Sequence, residues 1–418
     1  MTLRPLLLAT LLASPLCHAA PVWLSIGDDG YRLLQQLSPA SASREQHTLR
    51  NDSGRPASQR SLAPSQETVH LVQVDDSLLP ALSEAIHHQK RHCGGYMVHV
   101  SLNHARQSVA ASARSSLLAA TAAPDYTLRQ QKLLNPLLPQ LQESNLLTTI
   151  SSLAAYQNRF YTTSHGVNAA NWLYRHWQQL ASRRSDIKVE QVSHTGYPQK
   201  SVMLTVPGRS KASEVVVLGA HLDSTIGNTT ENSRAPGADD DASGVATLTE
   251  VIRVLADANY RPPRTLKFIA YAAEEVGLRG SGDIAARHKQ QKANVVGVLQ
   301  LDMTNWQGSA EDIYLYTDYT NAAQNAFVAN LIRTYQPALK VGYDKCNYGC
   351  SDHASWHQQG YAATLPFESR FSDYNPHIHT SGDTLANMGN QAAHALKFAR
   401  LALSYAVELG QDGNSAAR

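Results

Sequence analysis

The pattern of apolar and polar positions divides the chain into two regions. After Tyr126, short apolar runs alternate with segments whose apolar residues recur at helical spacing, as in an α/β domain. The predicted strands are residues 201–206, 215–220, 266–272, 295–301, 313–316 and 363–366, and the last predicted helix covers 391–409. Two helical stripes are predicted to face the core: Val245, Leu248, Val251, Ile252 and Leu255, and Trp172, Leu173, Trp177 and Leu180. In such a fold, polar residues that follow the strands gather in one crevice.

Residues 21–123 have a different texture. They mix strand-like pieces such as 67–74 with polar, Ser-rich and Ala-rich stretches, which predicts an appendage to the main domain, 124–410. Residues 109–123, rich in alanine and serine, indicate a flexible junction that a protease can cut. An ordinary N-terminal subdomain is the alternative, and residues 411–418 are expected to form a disordered tail.

The chain begins with the pattern of a signal peptide over residues 1–20. Arg4 precedes the apolar run 6–16, and small residues follow it. The run is short for a transmembrane helix, and no later run approaches the roughly 20 apolar residues that such a helix needs. We therefore expect export through the periplasm and release outside the cell, without a membrane anchor. Cys17 permits a lipoprotein reading, although Leu16 before it is bulkier than the residue a lipobox normally has there.

The composition is that of an ordinary soluble protein, with 43% hydrophobic residues, 17% charged residues and a formal net charge of +2. So small a net charge supplies no field that would attract nucleic acid, and we expect no such partner. Of the four cysteines, Cys17 would leave with the signal peptide and Cys93 is the odd one. Cys346 and Cys350 are close together, which in an exported protein favours a small-loop disulfide over a zinc site.

Two segments carry candidate metal-binding side chains. His221 and Asp223 directly follow a predicted strand and lie on the same side of an extended segment. A carboxylate in this place often fixes a ligating imidazole, although a simple turn residue is the alternative. Asp239, Asp240 and Asp241 precede a predicted helix. One aspartate there is commonly a helix cap, but three adjacent carboxylates repel one another, which favours a bound cation.

Three further segments add acids and histidines. Glu274 and Glu275 follow a predicted strand at the point where this class of fold builds active sites, so one could bind a metal and the other act as a general base. Asp302 ends an otherwise apolar run, and a buried carboxylate needs a metal or a hydrogen-bond partner. His377 and His379 lie in a loop, where an isolated histidine is more often a surface residue.

Taken together, these residues indicate one site. A histidine, several acids and another histidine follow successive strands in order. Mixed histidine and carboxylate ligands are typical of zinc or a similar divalent ion. Two such ions, about 3.5 to 4 Å apart and bridged by one aspartate, would form a hydrolytic site.

Seven segments resemble those of secreted bacterial leucyl aminopeptidases: GAHLDST, PGADDDASG, YAAEEVGLRGS, LQLDMTN, CSDHASWH, FESRFSDYNP and IHTSGDTLAN. They occur in order over residues 151–410, and VWLSIGDDG and HCGGYMVH near the N-terminus resemble that family's propeptide. The resemblance implies a zinc-dependent exopeptidase fold, in which helices sandwich a mixed, mainly parallel β-sheet. It implies a secreted enzyme that cleaves leucine and other bulky apolar residues from peptide N-termini. Residues 21–123 would be its own propeptide, which assists folding and inhibits until an activating protease removes it, and we expect a monomer.

The family's metal ligands fall on five residues of this chain. The resemblance implies two zinc ions held by His221, Asp240, Glu275, Asp302 and His379. Asp240, the middle acid of the triplet, matches the bridging position. His221 would pair with Asp302 on one ion, and Glu275 with His379 on the other.

The resemblance also assigns roles next to the metal. Glu274 matches the general base, which takes a proton from the attacking water and returns it to the leaving amine, and Asp223 matches the residue that orients His221. Cys346 and Cys350 match a family disulfide. An apolar cup that favours leucine, phenylalanine or methionine is implied, although each of its residues could belong to the core instead. Its residues are Met303, Tyr348, Cys350, Phe367, Phe371, Tyr374 and Ile378.

Two other functions are compatible with this kind of fold. A glutaminyl cyclase keeps a single zinc, and the complete second set of ligands argues against it. A non-catalytic binding ectodomain, such as that of transferrin receptor, tends to lose ligands or the base, whereas here all of them are present.

Overall fold

The computed structural model describes residues 21–50, 66–90, 94–118 and 124–411. The predicted signal peptide, Cys93 and most of the predicted tail lie outside the described residues. We call residues 21–118 the N-terminal unit and residues 124–411 the C-terminal unit. None of the described helices combines the length and the apolar character needed to cross a lipid bilayer.

The N-terminal unit is a sheet covered by helices. Its described elements are β1 Pro21–Gly27, α1 Asp28–Leu37, β2 Ser43–Arg50, β3 Gln66–Asp75, α2 Leu79–Lys90, β4 Tyr96–His99 and α3 Leu102–Leu118. The strands run antiparallel in the order β2-β3-β1-β4. Alternate strand residues such as Leu24 and its partner Val72 face one side, where they pack against Leu34, Leu82 and Ile86 of the helices.

The junction predicted over residues 109–123 begins as a helix. α3 continues to Leu118, and its residues Ala105 and Val109 pack against β3. Residues 119–123 lie outside the described part of the chain. Alanine is the strongest helix former, so the composition that predicted a flexible segment also suits a helix once one face has a sheet to pack against.

The C-terminal unit alternates helices and strands. Its described elements are α4 Gln131–Leu137, α5 Glu143–Ala154, α6 Ser164–Leu180, β5 Lys188–Val192, β6 Ser201–Val206, β7 Lys211–His221, α7 Ala242–Asp257, β8 Arg264–Tyr271, α8 Arg279–Gln290, β9 Asn294–Gln300, β10 Ile313–Tyr316, α9 Ala322–Tyr335, β11 Val341–Asp344, α10 His353–Gln358, β12 Ala363–Thr364, β13 Pro366–Phe367 and α11 Ala393–Gly410. The main sheet has the order β12-β9-β7-β8-β6-β5.

The main sheet is mixed and mainly parallel, as predicted. Strands β12, β9, β7 and β8 run parallel to one another. At one edge, β6 pairs antiparallel with both of its neighbours, β8 and β5. Alternate residues of β7 pack on opposite faces: Val216 and Leu218 contact the layer that contains α7 and α11, and Val217 contacts the layer that contains α8 and α10. Helices therefore cover both faces, and the two predicted helical stripes lie in α6 and α7.

Two differences from the predicted strands have simple physical causes. The segment predicted as one strand over 363–366 is divided between two sheets, because β12 pairs with β9 and β13 pairs with β10. Pro366 cannot donate to a strand ladder, so the pairing of β12 ends before it. Strands β5 and β11 were not predicted, since their side chains are half-buried and form no apolar run.

The beginning of the predicted tail is packed against the sheet. Gln411 is buried, and its backbone carbonyl accepts a hydrogen bond from Arg264 Nη1 at 2.6 Å. Its side-chain amide donates to the Tyr260 hydroxyl at 3.2 Å. These two contacts fix the end of α11, and residues 412–418 lie outside the described part of the chain.

Candidate metal centre

Three of the predicted ligands lie at or just beyond the carboxyl ends of three neighbouring parallel strands. His221 is the last residue of β7, Glu275 lies four residues beyond the end of β8, and Asp302 lies two residues beyond the end of β9. Because β8, β7 and β9 are adjacent in the sheet, their carboxyl ends meet at one edge. The backbone amide of His221 donates to the Asp241 carboxylate at 2.9 Å, which ties the end of β7 to the start of α7.

The other two predicted ligands come from loops. Asp240 precedes α7, and His379 lies in the loop before a short 3₁₀ helix, Leu385–Met388. Asp383 holds this arrangement, since its two carboxylate oxygens accept the backbone amides of Asp239 and Asp240, each at 3.0 Å. His379 has a positive φ of 53°, a strained conformation of the kind often found at functional sites.

Two groups of side chains meet at Asp240. His221 Nε2 lies 2.8 Å from Asp240 Oδ1 and 3.4 Å from Asp302 Oδ1. His379 Nε2 lies 3.2 Å from Asp240 Oδ2 and 2.7 Å from Glu275 Oε2. Each group could hold one metal ion, and the two oxygens of Asp240 face different groups. All five residues are at most 7% exposed. His377, by contrast, belongs to neither group.

The donor atoms suit zinc. Each group offers one imidazole nitrogen and two carboxylates, a ligand set that zinc accepts. Within the described residues, Glu275 Oε1 is buried and has no hydrogen-bond partner. Three buried carboxylates this close repel one another, and a dication is the simplest source of the positive charge that they need.

The electrostatics of the candidate ligands also favour a bound cation. Burial alone would lower the pKa of His221, but the carboxylates of Asp302, Asp223 and Asp240 raise it well above its usual value. Burial alone would raise the pKa of Asp240, but hydrogen bonds and charges of His221 and His379 lower it. These shifts show that the buried carboxylates and imidazoles lie in a strongly negative environment, which a bound metal ion would neutralise.

Glu274 stands beside the two groups without joining either. It is 1% exposed, and its Oε1 atom accepts no hydrogen bond from any described residue. Burial raises the pKa of the Glu274 carboxyl well above its usual value, and the nearby acids Glu275 and Asp302 raise it further against the lowering effect of His221. Burial likewise raises the pKa of Glu275 to about 7. A buried carboxyl with a raised pKa can both accept and return a proton.

Asp223 contacts more than the histidine that the resemblance assigned to it. Its Oδ1 and Oδ2 atoms accept the backbone amides of Glu274 and Glu275 at 3.0 and 3.2 Å. His221 Nδ1 lies closer to the Asp223 backbone oxygen, at 3.1 Å, than to its carboxylate, at 3.6 Å. Asp223 thus fixes the segment that carries Glu274 and Glu275, while its main chain orients His221.

Arg159 supports the site, and sequence reasoning did not single it out. Its guanidinium is fully buried and donates to the carbonyls of Leu222 at 2.8 Å, Pro236 at 2.5 Å and Gly237 at 2.9 Å. These carbonyls belong to the segment that directly follows His221 and to the loop that carries the aspartate triplet. Only the run of buried acids nearby signals that such a cation is needed, and no local pattern marks the arginine itself.

The predicted side-chain pocket forms one apolar cluster. It contains all seven predicted residues and also Tyr314, Tyr316, Cys346 and Leu365, which were not predicted. Met303 follows Asp302 and Ile378 precedes His379, so the cluster begins next to the candidate ligands. Cys346 and Cys350 form a disulfide that closes the loop carrying Tyr348.

The N-terminal unit lies over this site. Ser83 of α2 donates from its hydroxyl to the Glu275 backbone oxygen at 2.8 Å, and the ring of His87 lies 4.5 Å from that of His379. The Val98 amide of β4 donates to the Gly277 carbonyl at 3.0 Å. Gly277 has a φ of 94°, and a Cβ atom there would come within 2.6 Å of the Tyr96 ring.

The fold and the site define a metal-dependent hydrolase: buried histidine and carboxylate ligands meet at the carboxyl ends of parallel strands, beside a carboxyl suited to proton transfer. The family model of peptidase family M28 matches residues 201–404. A probable leucine aminopeptidase of Trichophyton verrucosum (strain HKI 0517) is 35% identical over 288 residues, which are 67% of this chain and 74% of that protein.

Solved structures agree with this assignment. The LapA aminopeptidase of Legionella pneumophila matches with a TM-score of 0.73 and 27% identity, covering 94% of this chain and 99% of that chain. Porphyromonas gingivalis glutaminyl cyclase matches with a TM-score of 0.52 and 16% identity over 64% of this chain and 98% of its own, so it shares the fold alone. The chain belongs to peptidase family M28. It is a zinc-dependent aminopeptidase.

Proposed function

We propose that this protein is a secreted aminopeptidase that uses two zinc ions to remove leucine and other bulky apolar residues from peptide N-termini. One observation carries the proposal: Asp240 turns one carboxylate oxygen toward His221 at 2.8 Å and the other toward His379 at 3.2 Å. An aspartate that faces both groups of ligands supports a site for two metal ions and not for a single ion.

Glu274 would move the proton in this reaction. When bound, the zinc ions would make water more acidic and polarise the scissile carbonyl. Glu274 accepts the proton of the attacking water and then delivers it to the leaving amine. The buried carboxyl with a raised pKa favours this return step, because a proton that it accepts is not lost to solvent.

Two features support an exopeptidase with an apolar preference. The carboxylates of Glu275 and Asp240 give the free α-amino group of a substrate a negative environment to bind in. The apolar cluster begins directly at Met303 and Ile378, so a side chain next to that amino group would enter it. The side chains of leucine, phenylalanine and methionine would be buried there, away from water.

Metal content and substrate preference, measured together on the processed enzyme, test this proposal. We expect two zinc ions per chain and faster hydrolysis of leucyl anilide than of glutamyl or lysyl anilide, because burying a charged side chain in the apolar cluster is costly. One tightly bound zinc together with ammonia release from N-terminal glutamine would instead indicate a glutaminyl cyclase.

We further propose that the N-terminal unit is a propeptide that covers the site until a protease removes it. Contacts of Ser83 with the Glu275 backbone and of His87 with the His379 ring support this, since α2 then lies across the candidate ligands. The signal-peptide pattern supports secretion of the whole chain.

Cleavage between the units is expected to increase kcat/KM for leucyl anilide. If the site is open in only about one intact molecule in ten, removing the N-terminal unit gives about a tenfold increase. The rates of intact and cleaved protein are compared, and the same protease treatment of already cleaved enzyme serves as the control and should change nothing. Equal rates for intact and cleaved protein would show that the unit does not inhibit.

A further inference from the structure

Arg279 of the C-terminal unit forms a built carboxylate site with a partner from the N-terminal unit. Its Nη1 and Nη2 atoms donate to Asp76 Oδ1 and Oδ2 at 2.9 and 3.2 Å. The guanidinium carbon lies 4.9 Å from the centre of the Tyr197 ring and 5.6 Å from that of Tyr161. The Arg279 side chain is only 9% exposed. The guanidinium donates a hydrogen bond to each oxygen of the carboxylate and lies beside two aromatic rings. Such a bidentate ion pair is more specific in geometry than an exposed ion pair on the surface.

The cationic part of this arrangement belongs wholly to the C-terminal unit. Arg279, Tyr161 and Tyr197 remain when the N-terminal unit leaves. Asp76 goes with that unit, as do the apolar residues, such as Leu79 and Leu82, that share a cluster with the two tyrosines. The Arg279 backbone is fixed, because its amide donates to the Ala273 carbonyl at 3.0 Å. Removal of the N-terminal unit would therefore leave a preformed cation without the carboxylate that it holds in the full chain.

This site lies within reach of a peptide bound at the candidate ligands. Asp76 comes shortly before α2, and Ser83 of α2 contacts the Glu275 backbone oxygen at 2.8 Å. The segment Asp76–Leu78 is a 3₁₀ helix and α2 begins at Leu79, so at roughly 2 and 1.5 Å per residue Asp76 is on the order of 10 to 12 Å from that contact. An extended peptide covers roughly 10 Å in about three residues. A carboxylate near the third residue of a substrate can thus reach Arg279.

We propose that Arg279, Tyr161 and Tyr197 form a carboxylate-binding subsite for peptide substrates. Asp76 fills it in the full chain, and the substrate's carboxylate fills it once the N-terminal unit has gone. The carboxylate is either the C-terminus of a tripeptide or an acidic side chain at the third residue, since both present the same two oxygens. The inference rests on the proposed exopeptidase action and on removal of the N-terminal unit.

The C-terminal unit can be studied after that removal. It has its own continuous core, built from the main sheet and helices such as α5, α7 and α11. The glutaminyl cyclase of the same fold aligns over 98% of its own length to 64% of this chain, so this fold forms in a chain shorter than this one.

The experiment compares three substrates on enzyme freed of its N-terminal unit by limited proteolysis: Leu-Ala-Ala, its C-terminal amide, and Leu-Ala-Asp amide. We expect KM for the free acid to be about tenfold below KM for the amide, with similar kcat, because the contact is made in the bound substrate and in the transition state alike. A low KM for Leu-Ala-Asp amide would identify an acidic side chain as a second source of the carboxylate.

Variants assign that preference to Arg279. Arg279→Met is expected to abolish the difference in KM between acid and amide, and Arg279→Lys to retain part of it. Arg287→Met is the matched control, since Arg287 lies on the same helix and pairs with Asp283 at an exposed position. It should keep the full preference.

Two results would overturn the subsite: equal KM values for acid and amide in the unmodified enzyme, or an unchanged preference in Arg279→Met. The first comparison uses only the unmodified enzyme. It therefore tests the subsite even if Arg279→Met fails to fold. Failure of the unmodified enzyme to hydrolyse leucyl anilide, which has no carboxylate, would instead contradict the proposed function. The two kinds of failure are therefore distinct.

Discussion

Glu274→Gln is expected to lower kcat for leucyl anilide by about three orders of magnitude, the range lost when a positioned general base is removed. Glutamine has nearly the same shape but cannot accept the proton of the attacking water. Glu274 belongs to neither group of candidate ligands. Zinc content should therefore stay as it is in the unmodified enzyme.

Steady-state kinetics and metal analysis of the same preparation check this result. Glu190→Gln provides a matched control, because Glu190 lies on the edge strand β5, where it pairs with Lys188. That variant should keep both its rate and its zinc. A Glu274→Gln enzyme that works at the unmodified rate would remove Glu274 from the mechanism, and one that has lost zinc would make it a ligand.

Asp240→Asn is expected to weaken zinc binding at both positions, whereas Asp302→Asn should weaken it mainly at one. The reason is geometric: Asp240 faces both His221 and His379, and Asp302 faces His221 alone. Bound ligand at 100 times its Kd stabilises a fold by about 2.7 kcal/mol. Losing both ions should therefore lower the Tm of the zinc-loaded protein by several degrees, and by more than losing one.

Zinc stoichiometry and thermal unfolding are measured for both variants with and without added zinc. Asp257→Asn is the control, since Asp257 lies at the exposed end of α7, the helix that Asp240 precedes. Two zinc ions retained at full affinity in Asp240→Asn would contradict a shared aspartate. An equal loss at both positions in Asp302→Asn would show that the ions bind only together.

Much of the fold could be predicted because its signals are local. Buried parallel strands such as β7 and β9 are continuous apolar runs, and α7 carries an apolar stripe at helical spacing. The strand boundaries were less certain where pairing partners decide them. The segment at Pro366 looked like one strand, and only its two different partners divide it between two sheets.

Four of the five candidate ligands could be singled out because each follows a strand or precedes a helix, where this architecture gathers side chains. His379 lies in a loop, and only the family resemblance assigned it as a ligand. The contacts that hold them in place gave no comparable signal. Asp383 accepts two amides of the aspartate triplet, and Arg159 donates to carbonyls that lie more than 60 positions away. Contacts of side chains with a distant backbone leave no local pattern.

The sequence by itself determined the alternation of elements, the order of the histidines and acids at the strand ends, and the apolar residues next to them. Tertiary structure alone decided which distant side chains hold the ligand loops in place, such as Asp383 and Arg159, and where the N-terminal unit rests. Asp76 and Arg279 are 203 positions apart, and nothing in either local segment marks them as partners. Periodicity and capping depend on neighbours along the chain, whereas such a pair forms only when two separately packed surfaces meet.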